Sequence, residues 1–169
     1  MADEIVNRVA NSNLITINLE DFYPKGERTI IDIKNWLFHE LILKEVDFRE
    51  HLKNHDWSQY QNHYIALTCS SDVIIPSWAY MLITTFVSPF AKNIVIGNLK
   101  ELETSIFQDI ITNLDVEQFK DKPVIIKGCA HKPIPETTYI QLIQKLQPIT
   151  KTIMFGEACS TVPLFKRKK

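Results

Sequence analysis

The sequence predicts an α/β fold of three layers, with a parallel four-stranded sheet, helices on both of its faces and an amino-terminal β-hairpin as an annex. Short apolar runs rich in β-branched residues, each bounded by polar, glycine or proline residues, are typical of buried strands. Amphipathic stretches long enough for helices separate these runs. Alternation of strand and helix indicates a parallel sheet, because the helix returns the chain to the end where the next strand begins. The four runs are residues 64–68, 93–96, 124–127 and 152–155.

The amino-terminal annex is predicted from two segments in which apolar and polar residues alternate, 14–19 and 29–33. Between them, Pro24 and Gly26 supply turn residues, since proline presets a negative φ and glycine tolerates a positive one. This pattern predicts an antiparallel hairpin. The next segment, 35–43, is strongly apolar, and its pattern fits either a short buried helix or an irregular connection.

Four helices are predicted from apolar residues that recur at spacings of three and four. The first places Phe48 and Leu52 on one face. The second begins at Pro76, which suits the first turn of a helix because no backbone N–H is needed there. The predicted ranges are 44–54, 76–87, 99–113 and 136–146.

Right-handed crossovers restrict how the four strands can be arranged. The doubly wound rule gives a sheet with the strands in the order 2-1-3-4, which is 93–96, 64–68, 124–127, 152–155. The strands that end before Cys69 and Cys129 are then neighbours, and the strand that ends before Cys159 is the next one over. All their carboxyl ends lie on one edge of the sheet, where open α/β folds build their sites.

The length and composition of the chain limit its organisation and its partners. A chain of 169 residues has the usual size of one domain, with residues 1–60 as the annex and 61–169 as the parallel core. The net charge of −1 predicts no general affinity for nucleic acid or for an acidic membrane surface. No apolar run is long enough to span a bilayer. The sequence leaves open whether the protein forms a homo-oligomer.

The cysteine content and the amino terminus favour the cytoplasm. The first residues, MADEIVNRVA, lack the basic start and the apolar stretch of a signal peptide. Three cysteines are an odd number, and in a chain without an export signal they are expected to stay reduced. Structural disulfides are therefore not expected.

All three cysteines follow directly after predicted strands. Neighbouring strands lie about 4.8 Å apart, so loops of a few residues could bring the three sulfur atoms to one ion or cluster. Thiolates select zinc and iron–sulfur clusters, and structural zinc takes four ligands. The sequence therefore predicts a metal site formed by Cys69, Cys129 and Cys159, with His131 as the leading fourth ligand.

Several alternatives stay open at these residues. Asp72 or Glu157 could take the fourth position, and an empty fourth position would suit a catalytic or delivered cluster. A second hypothesis is a thiol-dependent enzyme or sulfur carrier, because backbone donors after Cys69 or Cys159 would lower a thiol pKa. A third is an interaction module in which the cysteines are small buried side chains. No glycine-rich phosphate loop follows any strand, so a nucleotide cofactor is disfavoured.

Five segments carry a resemblance to a known family. They are EIVNRVANSNLITINLEDFYPKGER, HDWSQYQ, CSSDVIIPSWAYML, KGCAHKPIPE and GEACSTVPLFKR. With them the chain resembles, over essentially its whole length, the bacterial family catalogued as domain of unknown function 2480, which is found mainly in Bacteroidetes. The family implies no established activity and no assigned residues. Its genes often lie near iron–sulfur assembly genes, so the resemblance implies a link to cluster assembly and a protein partner in that process.

Overall fold

The computed structural model describes residues 13–128, 131–157 and 160–168. Within these ranges the chain forms seven strands and four α-helices, joined by loops and short 3₁₀ turns. In chain order the elements are β1 Ile15–Ile17, β2 Arg28–Asp32, α1 Glu45–Asn54, β3 Tyr64–Thr68, α2 Ser77–Val87, β4 Asn93–Ile96, α3 Leu99–Asn113, β5 Pro123–Ile126, α4 Glu136–Leu146, β6 Thr152–Glu157 and β7 Ser160–Lys166.

The chain divides into two compact units, each with its own sheet. One unit is Pro24–Ile106 and contains β2, β3 and β4. The other combines Met1–Tyr23 with Phe107–Lys169 and contains β1, β5, β6 and β7. The single domain expected from the chain length stays a prediction.

In the unit Pro24–Ile106, β3 is the central strand of a three-stranded parallel sheet. Asp32 of β2 pairs with Thr68 of β3, and Leu67 of β3 pairs with Ile96 of β4. Residues 64–67 of β3 are all buried, as expected for an apolar run in the middle of a parallel sheet. The buried core of this unit is formed by Ile31, Ile33, Leu37, Phe48, Leu52, Trp57, Tyr60, Ile65, Leu67, Ala79, Ile83 and Val87.

In the second unit the strand order is β1-β5-β6-β7. The first three strands are parallel, with Ile17 of β1 beside Ile126 of β5, and Ile126 beside Phe155 of β6. β7 returns antiparallel to β6 and makes the sheet mixed. The buried core of this unit is formed by Ile17, Leu19, Ile111, Phe119, Val124, Ile126, Leu142, Leu146 and Ile153.

The predicted amino-terminal hairpin is wrong. β1 and β2 do not pair with each other, because β1 lies parallel to β5 and β2 lies parallel to β3. Gly26 is needed for close packing and not for a hairpin turn: it has a φ of +142°, and a Cβ there would lie 2.7 Å from the Tyr64 ring. An alternating pattern indicates a strand and a buried face, but it does not identify the strand beside which that face packs.

The predicted sheet order is also wrong, although two of its strand pairs are confirmed. β3 and β4 are parallel neighbours, as are β5 and β6. However, β3 and β5 belong to different sheets, because β2 and β1 take the places beside them. The strand β7 was not predicted, since its sequence STVPLFK contains a proline and exposes Val162 and Leu164. Pro163 is tolerated because β7 is an edge strand.

The four predicted helices are confirmed, with boundaries that agree to within about one residue. For residues 35–43, the irregular alternative is correct. The 3₁₀ turn Ile33–Trp36 is followed by a tight turn in which Phe38 pairs with Ile42, and His39 and Glu40 have positive φ angles. Within the described ranges, no helix has the length and apolar composition needed to cross a bilayer.

The packing of α4 gives a direct test of the fold. Leu142 is fully buried, whereas Ile140 on the same helix is 62% exposed. We expect Leu142→Ala to lower the free energy of unfolding by about 2–5 kcal/mol, since it removes core contacts and leaves a cavity. Ile140→Ala is the control and should change it by less than about 1 kcal/mol. Urea unfolding measures both, and equal effects would contradict the packing described.

Candidate functional site

The carboxyl ends of β5 and β6 form the first candidate site. The two strands are parallel neighbours, so they end at the same edge of the sheet. In the chain, Cys129 comes three residues after the end of β5, and Cys159 comes two residues after the end of β6. Both cysteines lie outside the described residues, but residues on either side of them in the chain are described.

The residues that precede the two cysteines contact each other. A Cβ at Gly128 would lie 2.7 Å from Cζ of Phe155, so the backbone at Gly128 packs closely against that ring. The Nζ atom of Lys127 lies 4.0 Å from Oε1 of Glu157 in a partly exposed ion pair. The chain before Cys129 is therefore held beside the chain before Cys159.

The hairpin between β6 and β7 is tight on both sides of Cys159. Glu157 pairs with Ser160 across the two-residue connection 158–159. Gly156 has a φ of +121°, and a Cβ there would lie 2.6 Å from the carbonyl oxygen of Ser160. A larger residue at 156 would force the strands apart, so the glycine is required by this close approach.

Glu20 connects β1 to the loop that follows β5. It lies in the 3₁₀ turn Leu19–Phe22 directly after β1, and the side chain of Asn18 caps this turn. The carboxylate of Glu20 accepts hydrogen bonds from the backbone N–H groups of His131 and Lys132, the latter at 2.8 Å. The hydrogen bond from Lys132 has the largest effect on the pKa of Glu20, and the bond from His131 has a smaller one. Both lower this pKa because they favour the charged carboxylate.

Glu20 was not identified from the sequence. An acidic residue directly after a strand was a usable signal, but residues 14–19 were assigned to a hairpin and not to a parallel strand beside β5. The parallel pairing is what brings the end of β1 to the loop after β5.

The predicted fourth ligands lie in different surroundings. His131 is exposed, with its backbone held by Glu20, and Glu157 is paired with Lys127. Asp72 follows β3 in the other unit. Among residues 13–128, 131–157 and 160–168, no group of three or more His, Cys, Asp and Glu side chains is arranged to hold a metal ion.

The carboxyl edge of the three-stranded sheet carries Cys69. Asp32, at the end of β2, accepts hydrogen bonds from the backbone N–H groups of Lys34 at 3.0 Å and Ser70 at 3.1 Å. Burial alone would raise the pKa of Asp32, but the bonds from Ser70 and Lys34 outweigh it and lower that pKa. The loop after β3 is thus fixed to the end of β2.

Cys69 itself is partly buried against the core of its unit, and its Sγ atom lies 3.7 Å from the carbonyl oxygen of Ser71, to which the thiol donates. Burial, with a smaller effect from the nearby Cys69, raises the pKa of Tyr80. Because β3 and β5 belong to different sheets, the sheet order no longer brings Cys69 to Cys129. The role of Cys69 as a metal ligand stays a prediction.

Comparisons with known proteins give one match. A family model described as "Protein of unknown function (DUF2480)" matches residues 3–167, which is nearly the whole chain. No curated protein and no solved structure shows significant similarity to the chain.

The hydrogen bonds of Asp32 predict a pH-dependent contribution to stability. Because the folded-state pKa of Asp32 is below its ordinary value, its carboxylate stabilises the fold above that value and loses this effect as the pH falls through the folded pKa. We expect Asp32→Ala to lower the free energy of unfolding by about 1 kcal/mol at neutral pH.

The same substitution should have a smaller effect at a pH below the folded-state pKa of Asp32, where the carboxyl is protonated in both the folded and the unfolded protein. Urea unfolding at the two pH values measures the difference. Asp72→Ala removes another carboxylate from the same edge and serves as the control, with an expected change within about 0.5 kcal/mol. If Asp32→Ala lowered the free energy of unfolding more at acidic pH than at neutral pH, the stabilising role of the Asp32 carboxylate would be contradicted.

Proposed function

Because the chain belongs to the DUF2480 family of proteins of unknown function, its family assigns it no activity, and we propose a function from the chemistry of its strand ends. The proposal is a cytoplasmic protein that binds a metal ion or an iron–sulfur cluster. Its ligands are Cys129, Cys159 and His131, at the carboxyl edge of β5 and β6.

The observation that supports the proposal most directly is the contact between the residues that precede the two cysteines. Lys127 pairs with Glu157, and Gly128 packs against Phe155. Adjacent parallel strands lie about 4.8 Å apart, which is within the span of two thiolates on one zinc ion or one cluster. Thiolates select these metals over magnesium or calcium.

His131 supplies a third ligand of suitable chemistry. It follows Cys129 by two residues, its side chain is exposed, and Glu20 holds its backbone N–H. Hydrogen bonds around a ligand fix its orientation and raise metal affinity. The fourth position is then available to another side chain or to a partner protein.

The charges at the edge favour metal binding over thiol catalysis. A reactive thiolate needs a nearby cation that lowers its pKa. Lys127 lies two residues before Cys129, and Glu157 forms an ion pair with it. A metal cation would balance the charge of two thiolates without help from Lys127. A thiol-dependent enzyme or sulfur carrier is the second candidate, and the link to iron–sulfur assembly rests on the family resemblance.

The test is metal content and absorption of the full chain purified without air. We expect a zinc ion or an iron–sulfur cluster in the wild type, and in Cys129→Ala and Cys159→Ala less than about one tenth of that content, because each variant removes a thiolate. Loss of bound metal should also lower the stability of the protein.

Cys69→Ala is the matched comparison, since it makes the same change in the other sheet. Retained metal would limit the thiol ligands to Cys129 and Cys159, and lost metal would add Cys69 to them. A metal-free, colourless and stably folded wild type would contradict the proposal. Rapid alkylation of one cysteine by iodoacetamide near neutral pH would then support the thiol-dependent candidate.

Glu20 should act as a positioning residue for this site. We expect Glu20→Ala to weaken metal binding roughly 10- to 100-fold, as loss of a residue that orients a ligand loop does, with all ligands still present. Competition with a chelator measures the affinity. Glu50→Ala, which removes an exposed carboxylate from α1, is the control and should leave the affinity unchanged. Equal affinities of the Glu20→Ala variant and the wild type would show that the hydrogen bonds to His131 and Lys132 do not position the site.

A further inference from the structure

Basic residues are concentrated at the amino ends of β5 and β6, where the antiparallel strand β7 ends. They come from the segments directly before β5 and β6 and from the end of β7. The net charge of −1 does not reveal this local excess. We call the surface the basic edge, and its bases are Lys120, Lys122, Lys151, Lys166, Arg167 and Lys168. It lies at the opposite end of β5 and β6 from the proposed metal site.

Three of these bases stand side by side in neighbouring segments of backbone. The backbone N–H of Lys151 donates to the carbonyl oxygen of Lys122 at 2.9 Å, and the N–H of Arg167 donates to the carbonyl oxygen of Lys151 at 2.9 Å. These two bonds extend the register of β5, β6 and β7 by one residue. Side chains at matching positions of neighbouring strands point to the same face, so the three bases form a row.

Most of the positive charge at the basic edge is unpaired. Two bases have acidic partners: Lys120 pairs with Glu117 at 3.8 Å, and Arg167 pairs with Asp121. Among residues 13–128, 131–157 and 160–168, no acidic side chain forms an ion pair with Lys122, Lys151, Lys166 or Lys168. These four charges are available to a ligand.

The row of bases works against the stability of its own sheet. Side chains at matching positions of adjacent strands lie about 5 Å apart, and like charges there destabilise the pairing. Lys122 and Lys151 are in this position, and Lys151 and Arg167 are as well. Local choices that oppose the fold are typical of functional surfaces, where stability is lost in exchange for binding. The row therefore favours a negatively charged partner.

We propose that the basic edge binds an acidic segment of a partner protein. Its unpaired bases are complementary to carboxylates, which gives such a complex its specificity and its rate of association. β7 adds apolar surface beside Lys166, since Val162 is 60% exposed and Leu164 is 52% exposed. Interfaces between proteins combine apolar and charged side chains in this way.

The arrangement of the bases disfavours other anionic partners. Successive residues of a strand point to opposite faces, so Lys166 lies on the other face from the row that contains Arg167. A flat anionic bilayer would reach one side of the edge, whereas an extended segment of chain can pass around it. A nucleic acid strand needs aromatic rings on which its bases stack, but the nearby Phe119 and Phe165 pack in the core of their unit.

The experiment is fluorescence anisotropy of a labelled oligoglutamate peptide titrated with the full chain. We expect the wild type to bind the peptide at low salt and to bind it more weakly as the ionic strength rises, because exposed charges are screened. Lys151→Glu should weaken binding at least about tenfold, since it places an acid in the centre of the row. Lys151→Gln, which removes the charge without reversing it, should weaken binding less.

Stability gives a second readout of the same variants. Lys151→Glu should raise the midpoint of urea unfolding, because it replaces repulsion from Lys122 and Arg167 with attraction. Weaker binding together with a more stable fold cannot result from damage to the structure. A lower midpoint would contradict the assignment of the row as a repulsive, functional feature.

Lys100→Glu is the matched control, because it makes the same change of charge at an exposed position of α3 in the other unit. It should leave the affinity for the peptide within about twofold of the wild type. Equal weakening by both variants would overturn the proposal, since the effect would be one of net charge. A wild type that does not bind the peptide would overturn it too. Tighter binding to phosphatidylserine vesicles or to a labelled RNA strand than to the peptide would also overturn it, because the partner would then carry phosphate groups.

Discussion

The parallel pairing of β1, β5 and β6 is the constraint on which the candidate metal site depends. Ile17, Ile126 and Phe155 lie side by side in the three strands, so the segments that follow them emerge at one edge of the sheet. Val124, Ile125 and Ile126 of β5 are all buried, so both faces of this strand are packed and a shift of one residue would have to repack both. The buried apolar faces thus hold Glu20, Lys127 and Glu157 at the same edge.

The two sheets use a common device at their carboxyl edges. In each, a carboxylate at the end of an outer parallel strand accepts backbone N–H groups from the loop after the neighbouring strand. Glu20 does this for His131 and Lys132, and Asp32 does it for Ser70. A charged acceptor gives stronger hydrogen bonds than a neutral one, so these loops are fixed without secondary structure of their own. Cys69 lies in the loop that Asp32 holds, and in the sequence Cys129 and Cys159 come soon after the ends of β5 and β6.

Elements with a local signal could be predicted from the sequence, whereas strand partners could not. The helices were predictable because apolar spacing and proline positions act within one turn or a few turns. The partners of β1 and β2 depend on buried contacts with distant strands, such as the close approach of Gly26 to Tyr64. The strands that precede Cys129 and Cys159 in the sequence were correctly predicted to be neighbours, but Glu20 required the pairing of β1 with β5.

X-ray absorption spectroscopy of the metal-loaded full chain tests the central claim most directly, because it reports the atoms bound to the metal. The proposed site predicts at least two sulfur ligands near about 2.3 Å, together with a nitrogen near about 2.0 Å if the metal is zinc. Replacement of Cys129 and Cys159 should remove the sulfur signal. A metal surrounded only by oxygen and nitrogen would contradict a thiolate site at the edge of β5 and β6.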